Sequence, residues 1–236
     1  MRIQYLKHHE AFDIGYIAQW AKENNFPLKG CDLSKKELLP SMDEFDMLVV
    51  LGGAMGAYEE GRYLWIKQER NFIGEAIKRG KYILAFGLGA QILAQSLRGD
   101  IHKNPYREIG FGEVRFNKEG RDFCLLKDIP EKITALHWHK DLFDIPRDGH
   151  LLAKSKACKY QAFRFHKRVM GLQFHLETTP ETLTTLIKKC RCDIVKGQNV
   201  HNPNELEANA KKCKNMHNIL ARILNNYVIE FNNNNN

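Results

Sequence analysis

The sequence predicts an α/β fold built on a mostly parallel sheet, and three observations carry that prediction. Residues 47–51 (MLVVL) and 82–86 (YILAF) are short and apolar throughout, the pattern of strands buried on both faces. Between them, Ile66, Phe72, Ile73, Ala76 and Ile77 recur at helical spacing over 65–78, and Gly80 supplies a stop. Both strands end in glycine, Gly52-Gly53 after the first and Gly87 after the second, and a helix over 90–97 follows the second at once. Strand, helix, strand, helix at this spacing implies parallel pairing through right-handed crossovers.

The other elements take their places around this centre. Residues 2–6 form an opening strand, and Phe12, Ile14, Ile17, Ala18 and Ala21 then recur at near-helical spacing until Pro27. Further strands are predicted at 113–116, 133–137, 151–153, 161–165 and 169–174, with helices over 180–195 and 205–227. In the last helix Leu206, Ala210, Cys213, Leu220, Ile223, Leu224 and Tyr227 line one face, which predicts packing on the sheet. No internal repeat or linker divides the chain, so 1–230 is expected to be a single domain. Residues 231–236 end in five asparagines and are expected to form a disordered tail.

Composition narrows the function classes. With 43% hydrophobic and 27% charged residues, the chain has the make-up of a soluble globular protein. No apolar run approaches the roughly 18–20 residues a bilayer span needs, so no membrane partner is expected. The start, MRIQYLKHHEAF, lacks the apolar core of a secretory signal, and a cytoplasmic location is expected. The net charge of +8 is spread along the chain among acidic residues, without an aromatic–basic stripe. A basic nucleic-acid-binding module is therefore the weakest reading, and no nucleic-acid partner is expected. Of the six cysteines only Cys190 and Cys192 are close, without a second pair at zinc spacing. Free thiols, no metal and no cofactor are expected.

The chemistry concentrates at two segments. In 82–94 (YILAFGLGAQILA) a buried strand enters a glycine-flanked turn and leaves as a helix, the context of a nucleophile elbow with Gly87 at its apex. Helix N–H groups aimed at that space favour negative charge. Taken alone, the same pattern fits a close-packed strand–helix junction or a phosphate loop. In 170–177 (MGLQFHLE), His175 and Glu177 stand two apart at a strand end, and a continuing strand would put both on one face. Glu177 would then orient the imidazole as the third member of a triad does.

Six landmarks in order carry a resemblance: LGGAMGAYE (51–59), AFGLGAQILA (85–94), EIGFGEV (108–114), LHWHKDLFDIP (136–146), QAFRF (161–165) and GLQFHLE (171–177). The chain resembles the class I glutamine amidotransferases, in particular stand-alone proteins similar to the amidotransferase domain of GMP synthase and to γ-glutamyl peptide hydrolases. The resemblance implies a flavodoxin-like doubly wound sheet with helices on both faces. It also implies a Cys-His-Glu mechanism in which a cysteine attacks the glutamine side-chain amide, ammonia leaves, and a thioester is hydrolysed. Carried over, His175 is the general base and Glu177 its partner. Oxyanion donors come from the N–H of Leu88 and the Gly52-Gly53-Ala54 turn, Gln91 contacts glutamine, and the stretch His139-Lys140-Asp141 matches a loop near the site.

The departure lies at the apex. The family elbow reads G-x-C-x-G-x-Q, and aligning Gly89-Ala90-Gln91 with its end puts Gly87 at the cysteine and Ala85 at the first glycine. The expectation is an amidotransferase-like protein without glutaminase activity, binding a glutamine or γ-glutamyl small molecule or a protein partner, such as a separate synthase. The alternative is an active γ-glutamyl hydrolase, or another hydrolase, that uses His175 and Glu177 by a different route.

Overall fold

The two apolar runs become central strands, as their two-faced hydrophobicity requires. The computed structural model describes residues 1–234. Its strands are β1 (Ile3–Lys7), β2 (Leu28–Asp32), β3 (Met47–Val50), β4 (Tyr82–Phe86), β5 (Ile101–Phe116), β6 (Lys132–Phe143), β7 (Gly149–Lys154), β8 (Ala162–Phe165) and β9 (Val169–Leu172). Its helices are α1 (Tyr16–Glu23), α2 (Trp65–Lys78), α3 (Leu88–Ser96), α4 (Lys118–Asp122), α5 (Pro180–Lys189), α6 (Pro203–Ala208) and α7 (Cys213–Asn233). The strands form one nine-stranded sheet in the order β2-β1-β3-β4-β9-β8-β7-β5-β6. The half from β2 to β9 is parallel, and β9 through β6 pair antiparallel.

Helices cover both faces. Met47, Val49, Leu84 and Phe86 pack with α1, α5, α6 and α7, whereas Leu48, Val50, Ile83 and Ala85 pack with α2 and α3. Alternation along β3 and β4 divides one apolar run between two cores. Tyr227 is fully buried beneath α7, and its hydroxyl donates to the Ile83 carbonyl at 2.7 Å, which fixes that helix on the sheet.

Several boundaries depart from the periodicity. Strand β2 follows Pro27 where the pattern predicts no strand; it is an edge strand with few buried side chains, so its signal is weak. Strands β5 and β6 run far beyond 113–116 and 133–137, with a register shift between Lys103 and Glu108. Consequently His139 and Asp141 lie in β6 rather than in a loop. The helix expected to reach 195 stops at Lys189 and gives way to a 3-10 turn over Arg191–Asp193, where Asp193 accepts the indole N–H of Trp138 at 3.2 Å. The helix expected over 205–227 is divided at Asn209, whose side-chain amide donates to the Glu205 carbonyl at 2.7 Å and closes the first piece. Helix α7 continues through residues 231–233, which the composition assigns to a tail. Asn235 and Asn236 lie outside the described residues.

Candidate functional site

The turn between β4 and α3 has the geometry of a nucleophile elbow. Gly87 adopts φ +50° and ψ −115°, a region that strains any residue carrying a Cβ. Its N–H donates to the Leu172 carbonyl on β9 at 2.8 Å, and its carbonyl accepts the Gln91 N–H at 3.1 Å. Leu88 begins α3, where the helix itself offers its N–H no acceptor. Two residues on from Gly87, the Gly89 N–H donates to the Leu51 carbonyl at 3.1 Å.

A Cβ on Gly89 would stand 2.5 Å from the Val50 carbonyl oxygen and 2.7 Å from that of Leu51. Gly89 thus lets α3 sit directly on β3. Gly89→Ala is expected to cost about 1–3 kcal/mol as the helix is levered away. Chemical denaturation checks this, and an unchanged midpoint would show that the contact is slack.

Opposite the elbow stands the His–Glu pair. His175 and Glu177 are almost fully buried, and His175 Nδ1 meets Glu177 Oε1 at 2.6 Å. They meet without a continuing strand: β9 ends at Leu172, and His175 is held instead by reciprocal backbone hydrogen bonds with Leu136 of β6, at 2.8 and 3.2 Å. The second carboxylate oxygen of Glu177 accepts the Leu176 N–H at 2.9 Å, and its carbonyl accepts the Tyr16 N–H at 2.8 Å. Phe12 packs against the imidazole with ring centroids 5.6 Å apart. The pair is clamped on three sides.

The fourth side faces Gly87. A Cβ built there would lie 3.0 Å from both Cε1 and Nε2 of His175 and 3.7 Å from the Cα of Gly52. Among the described residues, His175 Nε2 has no hydrogen-bond partner, a thiol included. Cys158, the thiol nearest in sequence context, is buried with its Sγ on the Tyr160 carbonyl at 3.5 Å. Burial pushes that thiol up to about 11.

A small pocket opens beside the elbow. Gly53, Ala54, Leu88, Gln91 and His139 all line it, so the structure brings these predicted positions together. Gly52 lies behind them, its Cβ position blocked by Phe12 and His175. Asp141, from the same stretch as His139, stands on the pocket wall with Gln173, Arg107 and Asp193, and these last three carried no signal in the sequence. Gln91 donates to Gln173 Oε1 at 3.3 Å, leaving Gln173 Nε2 and Asp141 Oδ1 buried without partners. Burial, only partly opposed by nearby Lys140, raises the Asp141 pKa.

Two supporting groups also carry no local signal. His8, at the end of β1, places Nδ1 3.0 Å from the Gly52 carbonyl and Nε2 2.7 Å from Glu69 of α2. It thereby anchors the turn after β3. Behind the pocket, Glu108, His137, His139 and Gln161 form a second buried polar cluster. There burial drives His137 down to about 4, with the Glu108 carboxylate only partly opposing it.

An elbow facing a clamped His–Glu pair on a doubly wound sheet defines the class I amidotransferase architecture. Residues 18–193 match the family described as Glutamine amidotransferase class-I, and the chain belongs to that family. The glutamine amidotransferase-like protein YfeJ of Salmonella typhimurium is 27% identical over 202 residues, covering 84% of each chain. One component of the glutamine-hydrolyzing GMP synthase of Methanococcus aeolicus is 31% identical over 132 residues, covering 53% of this chain and 69% of that one. A glutamine amidotransferase of Thermotoga maritima superposes with a TM-score of 0.88 at 29% identity, covering 97% of this chain and 98% of the other. Among the described residues no helix is long and apolar enough to cross a membrane.

Proposed function

We propose that this chain is a catalytically silent amidotransferase-like protein that binds a glutamine or γ-glutamyl group. The observation that carries the reading is the bare backbone of Gly87, set 3.0 Å by its virtual Cβ from an unpartnered His175 Nε2. A cysteine there would hand its proton to this nitrogen and attack the γ-carbonyl. The resulting oxyanion would lie between the N–H of Leu88 and the Gly52-Gly53-Ala54 turn. Without sulfur no thioester forms, so the family's route to ammonia is closed.

Binding does not need the sulfur. The buried, unpartnered oxygen of Asp141 suits the α-ammonium of an amino acid, and Gln91 and Gln173 suit its amide end. Calorimetry with glutamine and a γ-glutamyl dipeptide tests this reading. Saturable heat is expected, weakened roughly 10–100-fold in Asp141→Asn, the loss of one charge-assisted hydrogen bond. Because burial raises the Asp141 pKa, affinity should fall as pH drops through that raised value and the carboxylate takes a proton. No heat from either compound with folded protein overturns the ligand assignment and leaves a scaffold for a protein partner. The GMP synthase component among its relatives makes a separate synthase chain the natural candidate for that partner.

A second reading draws on the same free nitrogen: His175, oriented by Glu177, activates a water in the space the thiol would fill. Its mark would be turnover of a γ-glutamyl substrate that is lost in His175→Ala. Ammonia or glutamate release at background in the unmodified protein favours the silent form.

A further inference from the structure

We infer that Glu108, His137 and His139, completed by the Gln161 side-chain oxygen, form a binding site for a zinc-class divalent cation. The cysteine spacing gave no zinc signal, but these residues come from other strands. The β5–β6 register sets Glu108 opposite His139 and Gly110 opposite His137, and alternation puts the two imidazoles on one face. Gln161 enters from just before β8.

Four atoms converge. Glu108 Oε2 lies 3.1 Å from His139 Nε2 and 3.6 Å from His137 Nδ1. The terminal amide atom of Gln161 lies 2.8 Å from the carboxylate oxygen and 3.4 Å from each of those two ring nitrogens. Tetrahedral zinc with bonds of about 2.0–2.2 Å holds neighbouring donors about 3.3–3.6 Å apart. The five separations bracket that spacing, and the two imidazole nitrogens stand within 4.8 Å of each other.

The hydrogen-bond arithmetic points the same way. Gln161 Nε2 has two hydrogens but four polar neighbours, the Glu108 carboxylate, two ring nitrogens whose roles follow the tautomer, and Ser155 Oγ at 3.0 Å, while Gln161 Oε1 is buried without a partner. Amide oxygen and nitrogen are assigned from such networks. Turning the amide over aims its oxygen at the centre of the cluster, where a cation satisfies all four donors at once. Ser155 Oγ, 3.1 Å from Glu108 Oε2, orients the carboxylate from outside. Gly112 leaves room for the His137 ring, since a Cβ there would stand 3.0 Å from it. Access comes through a cavity of about 580 Å³ that Glu108, His137 and Ser155 line, with His201 at its wall. His139 also lines the pocket beside the elbow, so a bound cation would stiffen that wall. This inference is independent of the ligand reading above.

The test is titration of chelator-stripped protein with Co²⁺. One equivalent should produce the visible absorption of four-coordinate cobalt, and Zn²⁺ should displace it. Affinity should drop more than about 100-fold in Glu108→Gln and His139→Asn. It should hold in His102→Asn, which dismantles the other, exposed cluster of Asp100, His102 and Asp144. Should the buried variants fail to fold, X-ray absorption of the unmodified Co²⁺ complex decides. Nitrogen and oxygen neighbours with an imidazole signature support the site, and sulfur in the shell assigns the ion to cysteines and overturns it. Absence of the four-coordinate spectrum, its persistence in folded Glu108→Gln, or its loss in His102→Asn would also overturn it.

Discussion

Gly87→Cys is expected to create a thiol that a glutamine-analogue electrophile labels at neutral pH, where the unmodified chain stays unlabelled at this position. The new Cβ would sit 3.0 Å from His175 Nε2, so the imidazole is placed to take the thiol proton as the sulfur attacks. The N-terminus of α3 adds its dipole, and together these lower the thiol pKa below the ordinary value of about 8.5. Backbone strain will cost about 1–3 kcal/mol, and the imidazole must yield by a few tenths of an ångström. The gain in labelling far exceeds that cost. Adding His175→Ala should slow labelling on the order of 10²–10⁴-fold, the usual contribution of a positioned base. Peptide mapping after modification is the measurement. Cys192 is exposed and sets the background. If residue 87 reacts no faster than Cys192, or if Cys158 is the labelled residue in the unmodified chain, the elbow has been misplaced.

What made this site legible was local pattern. The apolar run 82–86, the glycines at 87 and 89, and the His-x-Glu at 175–177 each report on a few neighbouring residues, and their chemistry survives being read one segment at a time. Even so, the premise for the His–Glu pair was wrong in detail: the strand stops at Leu172, and a bridge to Leu136 does the positioning. What stayed hidden was long-range. Nothing near His8 announces Glu69, which comes from a different element and meets it only when α2 docks. Glu108 and Gln161 likewise reach His137 and His139 only through the strand register. One signal was available there, since H-x-H in a strand places two imidazoles on one face, but the apolar pattern ends the strand at 137, before the second of them. Edge strand β2 was invisible for a simpler reason: with one neighbour and little burial it has no hydrophobic alternation to show.

The largest stability effect is expected at that hidden pair. His8 and Glu69 are wholly buried, and both ring nitrogens face acceptors, the Gly52 carbonyl and the carboxylate. Only the imidazolium can donate from both nitrogens. Burial alone would lower the His8 pKa, but the charge and hydrogen bond of Glu69 outweigh it and raise it overall. Stacking on Trp65, with centroids 5.0 Å apart, completes the cage. Glu69→Ala leaves that histidine without its counter-ion in a dry interior and is expected to cost about 3–5 kcal/mol. In a chain of this size, that lowers the melting temperature on the order of 10 °C. The pH dependence carries the sign of the cause. A raised folded-state pKa means that the pair's contribution is fully present below the unfolded histidine value, about 6.5, and fades as pH rises through the folded value. The gap in stability between the unmodified protein and Glu69→Ala should therefore be widest in mildly acidic buffer and shrink under alkaline conditions. Because His8 holds the Gly52 carbonyl, the variant should also bind the glutamine or γ-glutamyl ligand proposed above more weakly. Denaturation of both proteins across that pH range decides the matter: a gap below about 1 kcal/mol, or one that widens with pH, would mean that His8 is neutral and merely packed.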